Sequence, residues 1–273
     1  MTSRYLGPDA GPFDIIGDVH GCLDELLALL EMLGYGVTRD VNGEASVTPP
    51  EGRRAIFLGD LVNRGPDIAG VLRVVMGVVE AGQAYCLRGN HDAYLLRKLQ
   101  GADVVTEFDL PNEDAVLASV SQLAAESLAF QLRVAGFIEG RPAHLVLDDG
   151  RLLVAHAGLP QEYHGSDSEA AQRFAVFGPS TRETATSGEA RPIAWKDSYR
   201  GSALVVYGHY ADDSVRWANN TVCLDTGCVY GGQLTALRYP EREVVSVEAR
   251  RVYYKSRRLE ALWAAQAGRD PST

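Results

Sequence analysis

The sequence predicts an α/β fold, a sandwich of two sheets flanked by helices, and three observations carry that expectation. The apolar runs "FDII", "AIFLGD" and "AYCLRGNHD" each lead into a short glycine-bearing loop and then a helix-like segment. Repeated strand-loop-helix units imply a parallel sheet with crossover helices, whose functional residues sit at the carboxyl ends of the strands. Later in the chain "ALVVYGH", "SVRWANNTVCLDTG", "QLTALRYP" and "EVVSVEARRVYY" read as antiparallel strands of a second sheet. Finally, 273 residues with 46% hydrophobic and 23% charged content suffice for a sizeable core.

In chain order, an extended N-terminal arm precedes "FDII", after which Leu23, Leu26, Leu27, Leu30 and Leu33 recur at helical spacing and Gly34 offers a C-cap. "AIFLGD" is followed by a helix expected to start at Pro66 and run through "GVLRVVMGVVEAG". The Ala-, Leu- and Gln-rich stretch from Glu113 to Val134 reads as one helix, with Pro111 upstream. "HLVLDDGRLLVAHAG" reads as a hairpin turned at Asp149-Gly150. Residues 160–200 are turn-rich and irregular, and are expected to form a substrate-facing excursion. The expected organisation is a single domain over residues 1–256 and a tail over 257–273 made of a short helix and a disordered end.

Composition excludes several classes. No run of eighteen apolar residues occurs and "MTSRYLGPDAGP" lacks the apolar stretch of a signal peptide, so a cytoplasmic protein without membrane partners is expected. Cys22, Cys86, Cys223 and Cys228 form no CxxC pair, which argues against a disulfide framework and a cysteine-type zinc site. Cys22 reads as a small residue at a helix start. A formal charge of −10 argues against a generic nucleic-acid-binding face, though not against one local basic pocket.

The chemistry is concentrated in five short blocks: GDVHG, GDLVNRG, RGNHD, AHAG and YGH. They place Asp18, His20, Asp60, Asn90, His91, His156 and His209 directly after strands, beside glycines that let the backbone turn sharply. Four of the six histidines fall in these blocks. Any one block reads as an ordinary turn. All five, at the ends of strands, point to a shared site, with Asp18 and His20 as two ligands of one metal.

These blocks resemble those of the calcineurin-like metallophosphoesterase superfamily, and specifically its PPP-type branch, in an order that runs from about Phe13 to Tyr254. Outside the blocks, "RFAVFGPSTRET", "YRGSALVVYGH" and "CLDTGCVYGGQLTALRYPEREVVSV" are most similar to the phosphatase module of bacterial polynucleotide kinase-phosphatases. No GxxxxGK[ST] loop is present, so the resemblance is to the phosphatase part alone.

The resemblance implies a two-sheet metallophosphoesterase sandwich and two divalent metal ions. Asp18, His20 and Asp60 would hold one ion, and Asp60, Asn90, His156 and His209 the other. Mixed carboxylate, amide and imidazole ligands suit manganese, or an iron and zinc pair. A metal-bridging hydroxide would attack phosphorus. Arg64 and Arg88 would hold the phosphate by forked hydrogen bonds, and His91 would protonate the leaving oxygen. Asp225 matches an acidic position that orients His209 or a water, although a turn residue fits equally well.

The implied substrate is a phosphorylated nucleotide or an RNA-end phosphomonoester, with a serine/threonine phosphoprotein or a bis(5'-nucleosyl) tetraphosphate as alternatives. Three departures from the family pattern bear on this. Asn63 stands where GDxxDRG has an aspartate, Asp92 replaces the glutamate of GNHE, and Tyr210 follows His209 in place of a threonine. His144 and His164 lie outside every block and read as structural or exposed. Trp195 and Tyr199 have the chemistry to stack on a base, but packing beneath a loop is their more common fate.

Overall fold

The computed structural model describes residues 4–5, 9–41, 45–101, 113–179, 195–256, 259–261 and 263–264. Its strands are β1 (Arg4–Tyr5), β2 (Phe13–Ile16), β3 (Gly36–Arg39), β4 (Ala45–Thr48), β5 (Arg54–Phe57), β6 (Ala84–Cys86) and β7 (His144–Leu147). They continue with β8 (Leu152–Ala155), β9 (Leu204–Tyr207), β10 (Arg216–Ala218), β11 (Thr221–Cys223), β12 (Gln233–Tyr239) and β13 (Glu243–Glu248). The helices are α1 (Leu23–Met32), α2 (Ile68–Glu80), α3 (Asn90–Leu99), α4 (Glu113–Ala124), α5 (Leu128–Glu139), α6 (Glu169–Phe177) and α7 (Trp195–Ser198).

Two sheets form the sandwich, one ordered β13-β12-β2-β5-β6 and the other β1-β7-β8-β9-β11-β10; β3 and β4 make a separate hairpin. Strands β8 and β9 are covered on both faces, so their successive residues, which point opposite ways, are all apolar and buried. Phe13, Ile15, Ile56 and Leu58 of the first sheet meet Leu152, Val154, Leu204 and Val206 of the second between the sheets. Their neighbours Ile16 and Phe57 turn the other way, into the cluster under α1 and α2. Leu153, Ala155, Val205 and Tyr207 face outward beneath α6 and α7. Each such large buried side chain contributes roughly 1.5–3 kcal/mol of transfer free energy.

Several expectations change against this architecture. The expected second sheet loses β12 and β13: β12 pairs antiparallel with β2, and β13 with β12, so both extend the first sheet. In the second sheet β9 runs parallel to both its neighbours, β8 and β11. Alternation specifies which face a residue covers but not which strand lies beside it, and the chain crosses between sheets at Asp225–Gly232. The α2 helix starts at Ile68, not Pro66, because the Asp67 carboxylate accepts the Gly70 N–H at 2.7 Å and caps it.

The single helix expected from Glu113 to Val134 is two, with α5 capped by Ser127 through the Phe130 N–H at 3.2 Å. The hairpin between β7 and β8 is present, but Leu147 pairs with Leu152, so its loop is Asp148–Arg151 instead of a two-residue turn. Residues 160–200 are less irregular than expected: Ser168 caps α6, and Trp195 and Tyr199 are buried. Trp195 packs its ring against Phe174 and Tyr207 at 6.4 and 5.2 Å, so core packing is its role and not base stacking. Residues 180–194 of that segment, and most of the expected tail, lie outside the described residues.

Gly34 does cap α1. Its N–H reaches Glu31 O at 3.0 Å and that of Tyr35 reaches Leu30 O at 2.9 Å, which is the Schellman pattern. Cys22 is buried at the helix start as expected. Near the other end of the chain, Arg250 N–H and Tyr253 O–H both donate to Glu25 of α1, at 2.9 and 2.7 Å, and so tie the segment after β13 to the first sheet's helical layer.

Candidate metal centre

The five blocks converge at the carboxyl ends of β2, β5, β8 and β9 and at the start of α3. The loops after β2 and β5 are joined by His20 N–H to Asp60 O at 2.8 Å and Gly21 N–H to Leu61 O at 2.9 Å. Gly208 N–H donates to His156 O at 2.8 Å and joins the other two. Close approach requires glycine at two positions: a Cβ on Gly89 would lie 2.1 Å from an Asp60 carboxylate oxygen, and one on Gly208 2.0 Å from an Asp18 oxygen. His20, Asp60, Asn63, Arg64 and His209 all have φ between 45° and 72°. Left-handed backbone at non-glycine residues costs on the order of 1 kcal/mol or more each and clusters at functional sites.

Asp60 is central. One of its oxygens faces His156 Nε2 at 3.5 Å and the other faces His20 Nε2 at 3.6 Å. Asn90 Oδ1 lies 2.9 Å from both His156 Nε2 and His209 Nδ1, which are themselves 3.2 Å apart. Asp18 joins Asp60 and His156 in one group whose ligating atoms lie within 4.8 Å of each other. The six residues expected as ligands, Asp18, His20, Asp60, Asn90, His156 and His209, are therefore brought together, with Asp60 between His20 and His156.

The donor set fits divalent cations. His20 and His156 donate their Nδ1 protons to the Val62 and Leu58 carbonyls at 2.8 and 3.1 Å, which leaves an Nε2 lone pair on each facing inward. The His156 lone pair then meets the Asn90 amide oxygen, acceptor against acceptor. Asp18 Oδ1 is buried and has no hydrogen-bond partner among the described residues. Burial, then the Asp225 and Asp60 charges, holds the Asp18 carboxyl well above the usual carboxylate range, and burial lifts Asp60 to about 7. Burial likewise lowers His156 to about 3 and pushes His20 and His209 well down. Carboxylates that resist ionisation and imidazoles that resist protonation are both relieved by a bound cation.

The remaining expected residues take distinct places. Arg64 extends over the Tyr230 and Tyr254 rings, 5.3 and 5.9 Å from their centroids, and its Nη1 reaches His20 Nε2 at 2.8 Å, beside the ligands. Arg88 instead turns its guanidinium to the C-terminus of α5, donating to Ile138 O at 3.0 Å and to Glu139 O. His91 is buried, with its ring 4.9 Å from that of His20. Asn63 Nδ2 lies 2.8 Å from His91 Nδ1, and Ser119 Oγ–H donates to Asn63 Oδ1 at 2.6 Å. With the amide placed this way, Asn63 is the donor, and the neutral ring keeps its proton on Nε2. Burial and the Arg64 charge keep His91 well below its ordinary pKa.

Asp225 accepts the Gly227 N–H at 3.1 Å, a turn contact, while its charge opposes ionisation of Asp18. Asp92 has a role its sequence position did not reveal. Its two oxygens accept the N–H groups of Asp60, Gly89 and Leu61 at 2.9, 2.9 and 3.0 Å and so fix the central loop against α3. Sequence reasoning also missed Ser119, which lies far along the chain with no motif around it, and Tyr94, which helical spacing of three from His91 places on the same side of α3.

Cys22, Glu25 and Cys228 form another group with ligating atoms within 4.8 Å, which CxxC spacing does not reveal. A Glu25 oxygen there already accepts from Arg250 and Tyr253, so the group is part of the packing around α1. His144 is structural, fully buried in β7, and His164 is partly buried with Nε2 3.2 Å from Leu159 O.

Loops at the strand ends carrying this ligand set on a two-sheet sandwich define a metal-dependent phosphoester hydrolase. The chain belongs to the calcineurin-like phosphoesterase family, whose profile matches residues 11–236. Membership implies divalent metal ions. Among its relatives, the asymmetrical bis(5'-nucleosyl)-tetraphosphatase PrpE of Anoxybacillus flavithermus is 39% identical over 241 residues, 88% of this chain and 96% of that one. The protein of that name from Bacillus subtilis is 39% identical over 247 residues, 90% and 98% of the two chains.

A solved structure described as a candidate diadenosine tetraphosphatase superposes with a TM-score of 0.64 at 24% identity, covering 91% of this chain and 98% of that one. A Saccharomyces cerevisiae serine/threonine phosphatase gives 0.56 at 16% identity, covering 93% and 84%. Likeness at these identities shows a shared fold. Among the described residues, no helix is long and apolar enough to cross a membrane.

Proposed function

We propose that this protein hydrolyses dinucleoside polyphosphates of the bis(5'-nucleosyl)-tetraphosphate class at a dinuclear centre of Asp18, His20, Asp60, Asn90, His156 and His209. The observation that carries the substrate is the extent of the likeness to the tetraphosphatases: it runs along 88% of this chain and 96% of the relative, and so takes in the surroundings of the centre as well as its ligands. This puts dinucleoside polyphosphates ahead of nucleotide or RNA-end phosphomonoesters, reversing the order expected from the sequence. A protein substrate has only the fold likeness of distant phosphatases behind it.

When bound, a pair of divalent ions, manganese or iron with zinc, supplies Lewis acidity that acidifies water and neutralises phosphoryl charge. The chain's own residues do the rest. Asp60 spans the two halves of the ligand set, and Asp92 holds its loop in place. Arg64, braced on Tyr230 and Tyr254, offers a forked donor to phosphoryl oxygens. His91, oriented by Asn63, presents Nε2–H as a hydrogen-bond donor to the departing oxygen. A neutral donor is a weak proton source, which suits a phosphate leaving group better than the alkoxide of serine or threonine. Asp225 adds negative charge beside Asp18.

The test is to incubate the purified protein and manganese with diadenosine tetraphosphate, p-nitrophenyl phosphate, 3'-nucleotides and phosphopeptides, and to separate the products. Cleavage of the tetraphosphate into two unequal nucleotides, at the highest kcat/KM of the set, is expected. Turnover of the monoesters with the tetraphosphate left intact would refute the assignment.

A further inference from the structure

Beside the centre, between α3 and α6, lies a cavity of about 650 Å³, within the range of small-molecule sites. Its lining combines aromatic rings with cations: Tyr94 and Arg97 from α3, Arg173 and Phe177 from α6, and Arg88 from the loop that leads into α3. Three arginines around one cavity stand out in a chain of net charge −10. The Tyr94 ring is 6.1 Å from that of His91 and 5.8 Å from that of Phe177, so Tyr94 lies between His91 and the aromatic end of the cavity. Tyr94, Arg173 and Phe177 are partly exposed and Arg97 is exposed. Asp167 and Glu169, both exposed, also border the cavity and supply acceptors of the kind that bind sugar hydroxyls.

We propose that this groove is a nucleoside subsite, which binds the nucleotide half of the substrate that departs from the attacked phosphorus. Its base stacks on Phe177 and Tyr94, and its phosphates run past Arg97 and Arg173 towards the centre. The assignment rests on the tetraphosphatase reading and names residues for a specificity that the metal ligands cannot provide, because they contact only the phosphoryl group. Guanidinium groups pair with phosphate oxygens in a fork geometry, and any base offers a π-face to an aromatic ring.

The test compares two ligands with equal numbers of phosphates. Isothermal titration of the metal-free full-length protein with ATP and with inorganic tripolyphosphate isolates the contribution of the nucleoside. Wild type is expected to bind ATP at least about tenfold more tightly, in line with the value of base stacking measured by alanine substitution. Phe177→Ala should erase that preference and Phe177→Tyr should keep it, while Arg173→Ala should weaken both ligands. In kinetics with manganese, Phe177→Ala should raise KM for diadenosine tetraphosphate at least about tenfold, and Phe177→Tyr should restore it.

Equal affinity of wild type for the two ligands, or an ATP preference that survives Phe177→Ala, would overturn the subsite. A preference lost in Phe177→Ala, in a protein that leaves the tetraphosphate uncut, would uphold the subsite as a nucleotide groove and overturn the tetraphosphatase reading alone.

Discussion

At the sheet rim, His20, Asp60 and His156 come from loops directly after β2, β5 and β8, and each side chain is set by its own strand and the glycines around it. The groove beside the rim joins Tyr94 of α3 to Phe177 of α6, and the support of His91 joins Asn63 to Ser119 of α4. Rim contacts are therefore fixed by local geometry and groove contacts by the packing of distant helices. Substitution at the rim should abolish the reaction, whereas substitution around it should tune rate, pH range, stability and substrate choice.

The largest effect is expected at the rim. Asp60→Ala removes the ligand whose oxygens face both His20 and His156 and should lower kcat by at least about a hundredfold, on the order of 3 kcal/mol. A chelator should abolish wild-type turnover, and manganese should restore it. An Asp60→Ala protein that turns over at the wild-type rate would erase the distinction between rim and surroundings.

Next comes stability at His144. This side chain is fully buried, and neither ring nitrogen has a hydrogen-bond partner among the described residues. Burial lowers it to about 4, with the Asp167 charge acting against that shift and His164 adding to it. Because the folded pKa lies below the unfolded one near 6.5, the unfolded chain binds the proton first as pH falls. Stability is therefore full above about 6.5 and declines towards 4, by on the order of 2 kcal/mol at pH 5. His144→Leu should flatten this acid limb and raise Tm most at pH 5. Parallel denaturation curves for the two proteins between pH 5 and 8 would contradict it.

A smaller effect, about tenfold or 1.4 kcal/mol, is expected at Asn63. A carboxylate in place of the amide would favour the His91 imidazolium, so its pKa should rise and activity that needs a charged acid should persist to higher pH. Asn63→Asp should extend the alkaline limb, and more so on an alkyl phosphomonoester than on p-nitrophenyl phosphate. Superimposable profiles would show that Asn63 does not set the proton on His91. Ser119→Ala frees the Asn63 amide to rotate and should cost a few-fold in rate, about 1 kcal/mol, with metal content unchanged. A loss of metal in that variant would move Ser119 into the rim.

The same contrast explains what was legible in the sequence. GDVHG, GDLVNRG and RGNHD each carry strand end, turn and candidate ligand within a few residues, so the side chains that meet at the rim could be read directly, and apolar runs marked β2 and β5 as buried strands. Partners could not be read: β12 lies beside β2 and not in the second sheet, because apolar alternation is satisfied in either place. The break between α4 and α5 was hidden because helical periodicity continues across Ser127. Asp92 appeared only as a changed letter in a motif, yet it accepts three backbone N–H groups that position Asp60. Arg88 follows a strand like the ligands do, but its long side chain turns to the end of α5.

The account depends most on two ions sharing Asp60. The direct measurement is elemental analysis of protein reconstituted with manganese and desalted, combined with anomalous diffraction at the manganese edge, for wild type and Asp60→Ala. Two anomalous peaks per chain are expected in wild type, one on the His20 side of Asp60 and one on the His156 side, with manganese content reduced in the variant. A single peak in the fully active enzyme, or two peaks that persist unchanged in Asp60→Ala, would contradict a centre bridged by Asp60.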